Sequence, residues 1–166
     1  MSYQAISDVT KALLILSLIF LAYIDWRSFR LPNLLTLPLI ALGLSFNCIT
    51  ELGFTTIPSA LLGAVLAYGS IWILNAGYKA IRGRNGIGMG DAKLFAALGA
   101  WLGWGALPSI LLMASFLGLI GGLAFLYWQK RDIHQAFPFG PFLAIAGIIE
   151  LLWPQIIPTL VLPRLI

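Results

Sequence analysis

Acidic side chains are scarce in this chain: six Asp and Glu stand among 166 residues, against ten Lys and Arg. There is one cysteine, Cys48, and one histidine. A single cysteine forms no internal disulfide, and there is neither a CxxC pair nor a His/Cys cluster at metal-ligand spacing, so no metal site is predicted. Cys48, in an apolar stretch, is expected to serve packing. Charge of either sign is also rare, at 10% of residues against 60% hydrophobic ones, and the mean hydropathy is +0.96. That balance excludes a water-soluble globular domain. Repeats, low-complexity tracts and polar linkers long enough to fold separately are missing too. The expectation is therefore an all-α integral membrane protein, a polytopic helical bundle of about six transmembrane helices in a single domain spanning 1–166.

Apolar runs fill the sequence instead. Crossing a bilayer takes roughly 20 apolar residues per helix, and six stretches qualify, near 9–26, 32–50, 57–80, 91–105, 107–128 and 137–160. The first holds a short apolar run, Ala12 to Ile24. Lys11 is expected to snorkel there, and Asp25 to lie at the membrane boundary. No small-residue cleavage site follows the run, so it reads as a retained helix rather than a signal peptide. The fourth stretch is short and glycine-rich, and reads either as a full span with small-residue packing faces or as a partly re-entrant segment.

The basic residues orient the bundle. Arg27 and Arg30 follow the first span, Lys79, Arg82, Arg84 and Lys93 surround the third connection, and Lys130 and Arg131 follow the fifth span. Six alternating spans put these three connections on one side, and the intervening "TELGFTT" and "GWGALP" carry no Lys or Arg. By the positive-inside rule the basic side is cytoplasmic and both termini lie outside. Groups of this kind set topology or meet anionic lipid. The expected partner of the +4 net charge is thus the lipid bilayer and not nucleic acid.

Asp25 and Asp91 then share the cytoplasmic face. Asp8, Glu51 and Asp132 lie in tails or connections where water solvates them, but Asp25, Asp91 and Glu150 stand within or beside apolar segments. An ionised side chain there costs roughly 2.5–3.5 kcal/mol on insertion scales and marks a functional candidate. Each has an ordinary alternative. Asp25 could pair with Arg27 or Arg30 at a helix end, and Asp91, directly before "AKLFAAL", could cap a helix N-terminus. In "GRNGIGMGD", however, positions 83, 86, 88 and 90 are all glycine, which is more backbone freedom than a cap needs and suits close approach of a peptide. The glycines look superficially like a phosphate loop, but no strand precedes them and no GK[ST] follows, which disfavours that reading. Two carboxylates at one face suggest an aspartyl dyad, one acting as base on a water and the other as acid toward a scissile carbonyl.

These residues resemble the type IV prepilin peptidases, bacterial GxGD-type aspartic proteases of the inner membrane. The resemblance rests on "GRNGIGMGDAKLFAALGAWLGW", on "DWRSFRLPNLLTLPL" and on "FPFGPFLAIAG", and covers nearly the whole chain after about residue 20. It implies that Asp25 and Asp91 are catalytic. It also implies cleavage of the short basic leader from type IV prepilin or type II secretion pseudopilin precursors, at the cytoplasmic membrane face. Many members carry a cytoplasmic domain with two CxxC pairs and methylate the new N-terminus. The residues here match a short form without that zinc-binding domain. No cofactor is expected for proteolysis, and S-adenosylmethionine only where methyltransferase activity is retained.

Supporting or substrate-contacting roles are expected for Gly88 and Gly90 of the loop and for Pro138, Gly140 and Pro141 at the start of the last helix. Pro in a first helical turn explains that last group nearly as well. Lys93 either pairs with a dyad carboxylate or marks the membrane boundary. Asn33 either caps the second helix, the favoured reading, or orients Asp25. Glu150 matches no catalytic position and reads as a paired structural acid. Eukaryotic-type intramembrane proteases and archaeal preflagellin peptidases are related alternatives. A small cation-coupled transporter or channel using intramembrane carboxylates is the alternative outside the proteases.

Overall fold

The computed structural model describes residues 3–49, 52–83, 86, 88–129 and 138–154. It contains helices α1 (Tyr3–Ser28), α2 (Asn33–Asn47), α3 (Ile57–Arg82), α4 (Met89–Leu102), α5 (Leu107–Gln129) and α6 (Gly140–Leu152), with one 3-10 turn, Trp104–Ala106, before α5. There is no strand among the described residues. Among the described residues three apolar stretches are long enough to cross a membrane, Tyr3–Ser28, Ile57–Arg82 and Trp104–Leu123, while α2 and α6 are shorter apolar helices. Each expected span coincides with a helix. The first begins earlier than its apolar run, and the sixth ends at Leu152 rather than near 160, a position outside the described residues.

Local chemistry accounts for the helix ends. Pro58 opens α3, where its missing N–H costs nothing, and Gly83 closes it with φ 70°, donating its N–H to the Lys79 carbonyl at 2.8 Å. That left-handed position suits glycine. The outward faces carry large apolar side chains such as Leu13, Leu16, Phe20, Leu66, Ile73, Phe116 and Leu119, all exposed. In water this would be an aggregating surface; in a bilayer it is the lipid contact.

Helix α4 forms the centre. It buries Ala92 and every residue from 94 to 101, and α2, α3 and α6 all pack on it. Fourteen residues rise only about 21 Å, less than the roughly 30 Å hydrocarbon thickness. Protein on several sides makes this short segment tolerable.

Glycines set the packing distance. A Cβ at Gly43 of α2 would lie 2.7 Å from the Trp101 ring, one at Gly63 of α3 would meet the Gly99 carbonyl oxygen, and one at Gly147 of α6 would meet the Leu98 side chain. Lipid supplies no hydrophobic drive between helices, so such small residues allow close backbone contact to do the work. Gly63→Val is therefore expected to push α3 off α4 and destabilise the fold by about 1–3 kcal/mol. Gly69→Val, where a Cβ would meet open space, should leave the unfolding midpoint in detergent close to that of the wild type.

At the opposite end from the glycine loop, Asn47 is almost fully buried. Its Nδ2 donates to the Ala100 and Trp101 carbonyls at 2.8 and 3.0 Å, and its Oδ1 accepts from the Thr55 N–H at 3.1 Å. Trp101 Nε1 donates to the Leu39 carbonyl at 2.9 Å, and the rings of Phe46, Phe54 and Trp101 cluster beside it. Cys48, the next residue after Asn47, is exposed. The packing role expected of it is corrected: the inward position at this helix end belongs to Asn47.

Candidate active site

Asp25 sits in the last two turns of α1 and Asp91 in the first turn of α4. The helices run so that both ends meet, and the two carboxylates line one cavity of about 420 Å³. The shared face deduced from charge placement is thus a shared chamber. Its remaining walls come from the link between α1 and α2 (Phe29, Arg30, Leu31), the glycine loop (Gly86, Gly88, Met89, Gly90) and the approach to α6 (Pro138, Phe139).

Asp25 is only 4% exposed, and its Oδ2 accepts a hydrogen bond from the Gly140 N–H at 3.0 Å. Two segments 115 residues apart thereby meet at a carboxylate. Asp91 is half-buried. The position that caps α4 is Gly88, which makes no side-chain cap bond, and the Asp91 N–H donates to the Gly88 carbonyl at 3.1 Å. Asp91 therefore lies one turn inside the helix, and the capping alternative is corrected: the loop places a glycine where a cap side chain would be. A Cβ on Gly90 would lie 3.0 Å from the Leu31 Cβ, so the loop and the α1–α2 link close on each other there.

The other candidates divide. Gly88, Gly90 and Pro138 line the cavity, and Gly140 reaches Asp25 through its backbone. Pro141 lies in the first turn of α6 and is not a cavity residue. Asn33 is the first residue of α2, whose cap is Pro32 and which has no side-chain cap bond. It neither caps the helix nor touches Asp25; its Oδ1 accepts from Lys93 Nζ. Lys93 follows Asp91 by two residues, and such neighbours do not face each other on a helix. It ties α4 to the start of α2 instead of meeting a dyad carboxylate. Glu150 is buried ten residues beyond Gly140, about 15 Å along α6. It lines a separate cavity of about 440 Å³ with Lys11, Thr55, Ser59 and Trp104.

Three contributors were not anticipated. Phe29 adopts φ 53°, a left-handed conformation that is an outlier for a bulky residue. Its N–H donates to the Asp25 carbonyl at 2.8 Å, and Ser28 Oγ steadies the turn through the Ile24 and Arg30 carbonyls. Nothing in "SFRLPN" announces this turn. Asn75, buried in α3, accepts at Oδ1 from the Gly86 N–H at 2.9 Å and so anchors the glycine loop. An amide inside an apolar helix was the available signal. Phe139 completes the wall, in a motif whose glycine and prolines drew the attention.

Comparison with known proteins bears on this geometry. The model of the type IV leader peptidase family matches residues 12–123. The chain is 44% identical over 146 residues to a prepilin leader peptidase/N-methyltransferase of Aeromonas hydrophila, covering 87% of this chain and 50% of that protein. Similar proteins of the same description in Neisseria gonorrhoeae and Dickeya chrysanthemi are 46% and 43% identical over 130 and 131 residues, covering 78% and 79% of this chain and 43% and 46% of theirs. The chain spans about half the length of the curated relatives it matches. No solved structure matches it.

Proposed function

Because this chain belongs to the type IV leader peptidase family, we propose that it is a membrane aspartic endopeptidase that removes the basic leader from type IV prepilin or type II secretion pseudopilin precursors. The observation that carries this reading is the placement of Asp25 and Asp91, from helices far apart in sequence, on one cavity at one end of the bundle. Asp25 and Asp91 are the catalytic pair. One carboxylate takes a proton from a water as that water attacks the scissile carbonyl, and the other gives its proton to the carbonyl oxygen. The tetrahedral intermediate then collapses, the C–N bond breaks, and a proton passes to the leaving amine. Two carboxylates sharing one cavity suit this division of labour, since like charges in close quarters favour one proton held between them.

The same reading puts the enzyme in the bacterial inner membrane with its active face toward the cytoplasm, where the basic connections lie. The whole chain serves as one peptidase domain. The proteolytic step uses no cofactor. A methyl transfer would require S-adenosylmethionine, and the relatives' names include that second activity.

Co-expression with a prepilin tests the proposal. The expected result is a prepilin shortened by its leader at a junction that follows a glycine, identified by mass spectrometry. An intact prepilin beside a folded, membrane-inserted chain would overturn it, and cation flux into proteoliposomes under those conditions would favour a transporter.

A further inference from the structure

We infer that Gly140 is the positioning residue of Asp25, holding one carboxylate oxygen through its amide and leaving room for it by having no side chain. The inference rests on the peptidase reading above and extends it to a residue outside the acid pair. Three observations converge on it. The Gly140 N–H meets Asp25 Oδ2 at 3.0 Å inside the protein. A Cβ at Gly140 would lie 2.6 Å from that same oxygen and 2.9 Å from Cγ, closer than real Cβ atoms come, and a tight 3.2 Å from the Asp25 Cβ. Every other residue type would therefore displace the carboxylate that its own amide should hold.

The third observation concerns the rest of the first turn of α6. Pro141 has no N–H, and the Phe142 and Leu143 amides both donate to the Phe139 carbonyl at 3.1 Å. Gly140 thus supplies the donor that this turn directs outward, to Asp25. The height of the turn is set from α5, whose Gly118 and Gly121 receive the rings of Phe139 and Phe142: a Cβ at Gly118 would lie 3.2 Å from the Phe139 ring, and one at Gly121 would collide with the Phe142 ring. The glycines of α5 seat the phenylalanines, the phenylalanines seat the amide, and the amide seats the carboxylate.

The test uses purified full-length protein in detergent, a prepilin substrate, and carbodiimide labelling of Asp25 read by peptide mass spectrometry. A misplacement of about 1 Å at a reacting group costs on the order of 100-fold in rate. Gly140→Ala is therefore expected to lose about that factor in kcat with KM for prepilin unchanged, and its Asp25 should become reactive to carbodiimide where the wild-type side chain is protected. Gly147→Ala, on the same helix but against Leu98, should lower thermal stability while keeping kcat and protection. Should Gly140→Ala fail to fold, Gly118→Ala decides the matter: a partial fall in kcat together with an Asp25 newly reactive to carbodiimide supports the chain of contacts, and an unchanged kcat or a protected Asp25 overturns it. Folded Gly140→Ala with kcat within threefold of wild type and a protected Asp25 also overturns the inference. A wild-type enzyme that cleaves no prepilin would sink the peptidase reading alone, and the labelling comparison would still decide what Gly140 does.

Discussion

Asp25→Asn and Asp91→Asn are each expected to insert and fold like the wild type and to cleave prepilin roughly 10²- to 10⁴-fold more slowly, the range that a positioned acid or base contributes. Asparagine keeps the size of the side chain and removes its ability to take or give a proton. At position 25 its amide oxygen still accepts from the Gly140 N–H, so the contact between α1 and α6 survives and the loss reports chemistry. The double variant should be hardly slower than the worse single one, because residues that act as a unit are strongly non-additive. Single-turnover assays on purified protein separate these rates from binding. Full cleavage by either single variant would remove that residue from the reaction.

Asn47→Ala should be the most damaging small substitution away from the cavity. Three backbone groups depend on that side chain: the carbonyls of Ala100 and Trp101, which end α4, and the N–H of Thr55. Leaving the two buried carbonyls without a partner costs on the order of 2 kcal/mol or more in total, at about 1–3 kcal/mol per group, with the half-buried Thr55 N–H losing its acceptor as well. The cost is borne by the central helix, so it falls on the whole fold and not on one end. The expected outcome is a much lower unfolding midpoint in mixed micelles and little folded protein in the membrane. The folded fraction should turn over at the wild-type rate, since Asp25 and Asp91 lie at the other end of the bundle. A variant that is fully stable would show that the α2–α4 junction is held mainly by its aromatic cluster.

The architecture was legible because the bilayer imposes it. Runs of apolar residues located every helix, and the placement of Arg27, Arg30, Lys79 and Arg82 put Asp25 and Asp91 at one end before any contact was visible. The details of the site were less legible, for a physical reason: they depend on what a residue meets across the fold. Against its own helix Asn33 looks like a cap, but Lys93 claims its oxygen from 60 positions away. From its neighbours alone Asp91 looks like a cap, but the loop gives that position to Gly88. Phe29 broke the rule that left-handed turns use glycine, and such a turn leaves no trace in composition. The small-residue packing face expected of the fourth segment is present at Gly99, but its partners Gly63 on α3 and Gly147 on α6 carry no signal of their own, since a glycine that makes room looks like any other until the atoms filling the room are known.

The enclosure of α4 has a consequence for how the protein is made. Helices such as α1 and α3 are long and apolar enough to settle in the bilayer one at a time as they leave the ribosome. A segment of 14 residues with nine of them buried in protein contact matches neither the thickness of lipid nor its chemistry. It acquires a stable place only when α2, α3 and α6 are there to receive it. A half-made chain, still lacking α6, therefore has neither the last wall of α4 nor the amide that holds Asp25.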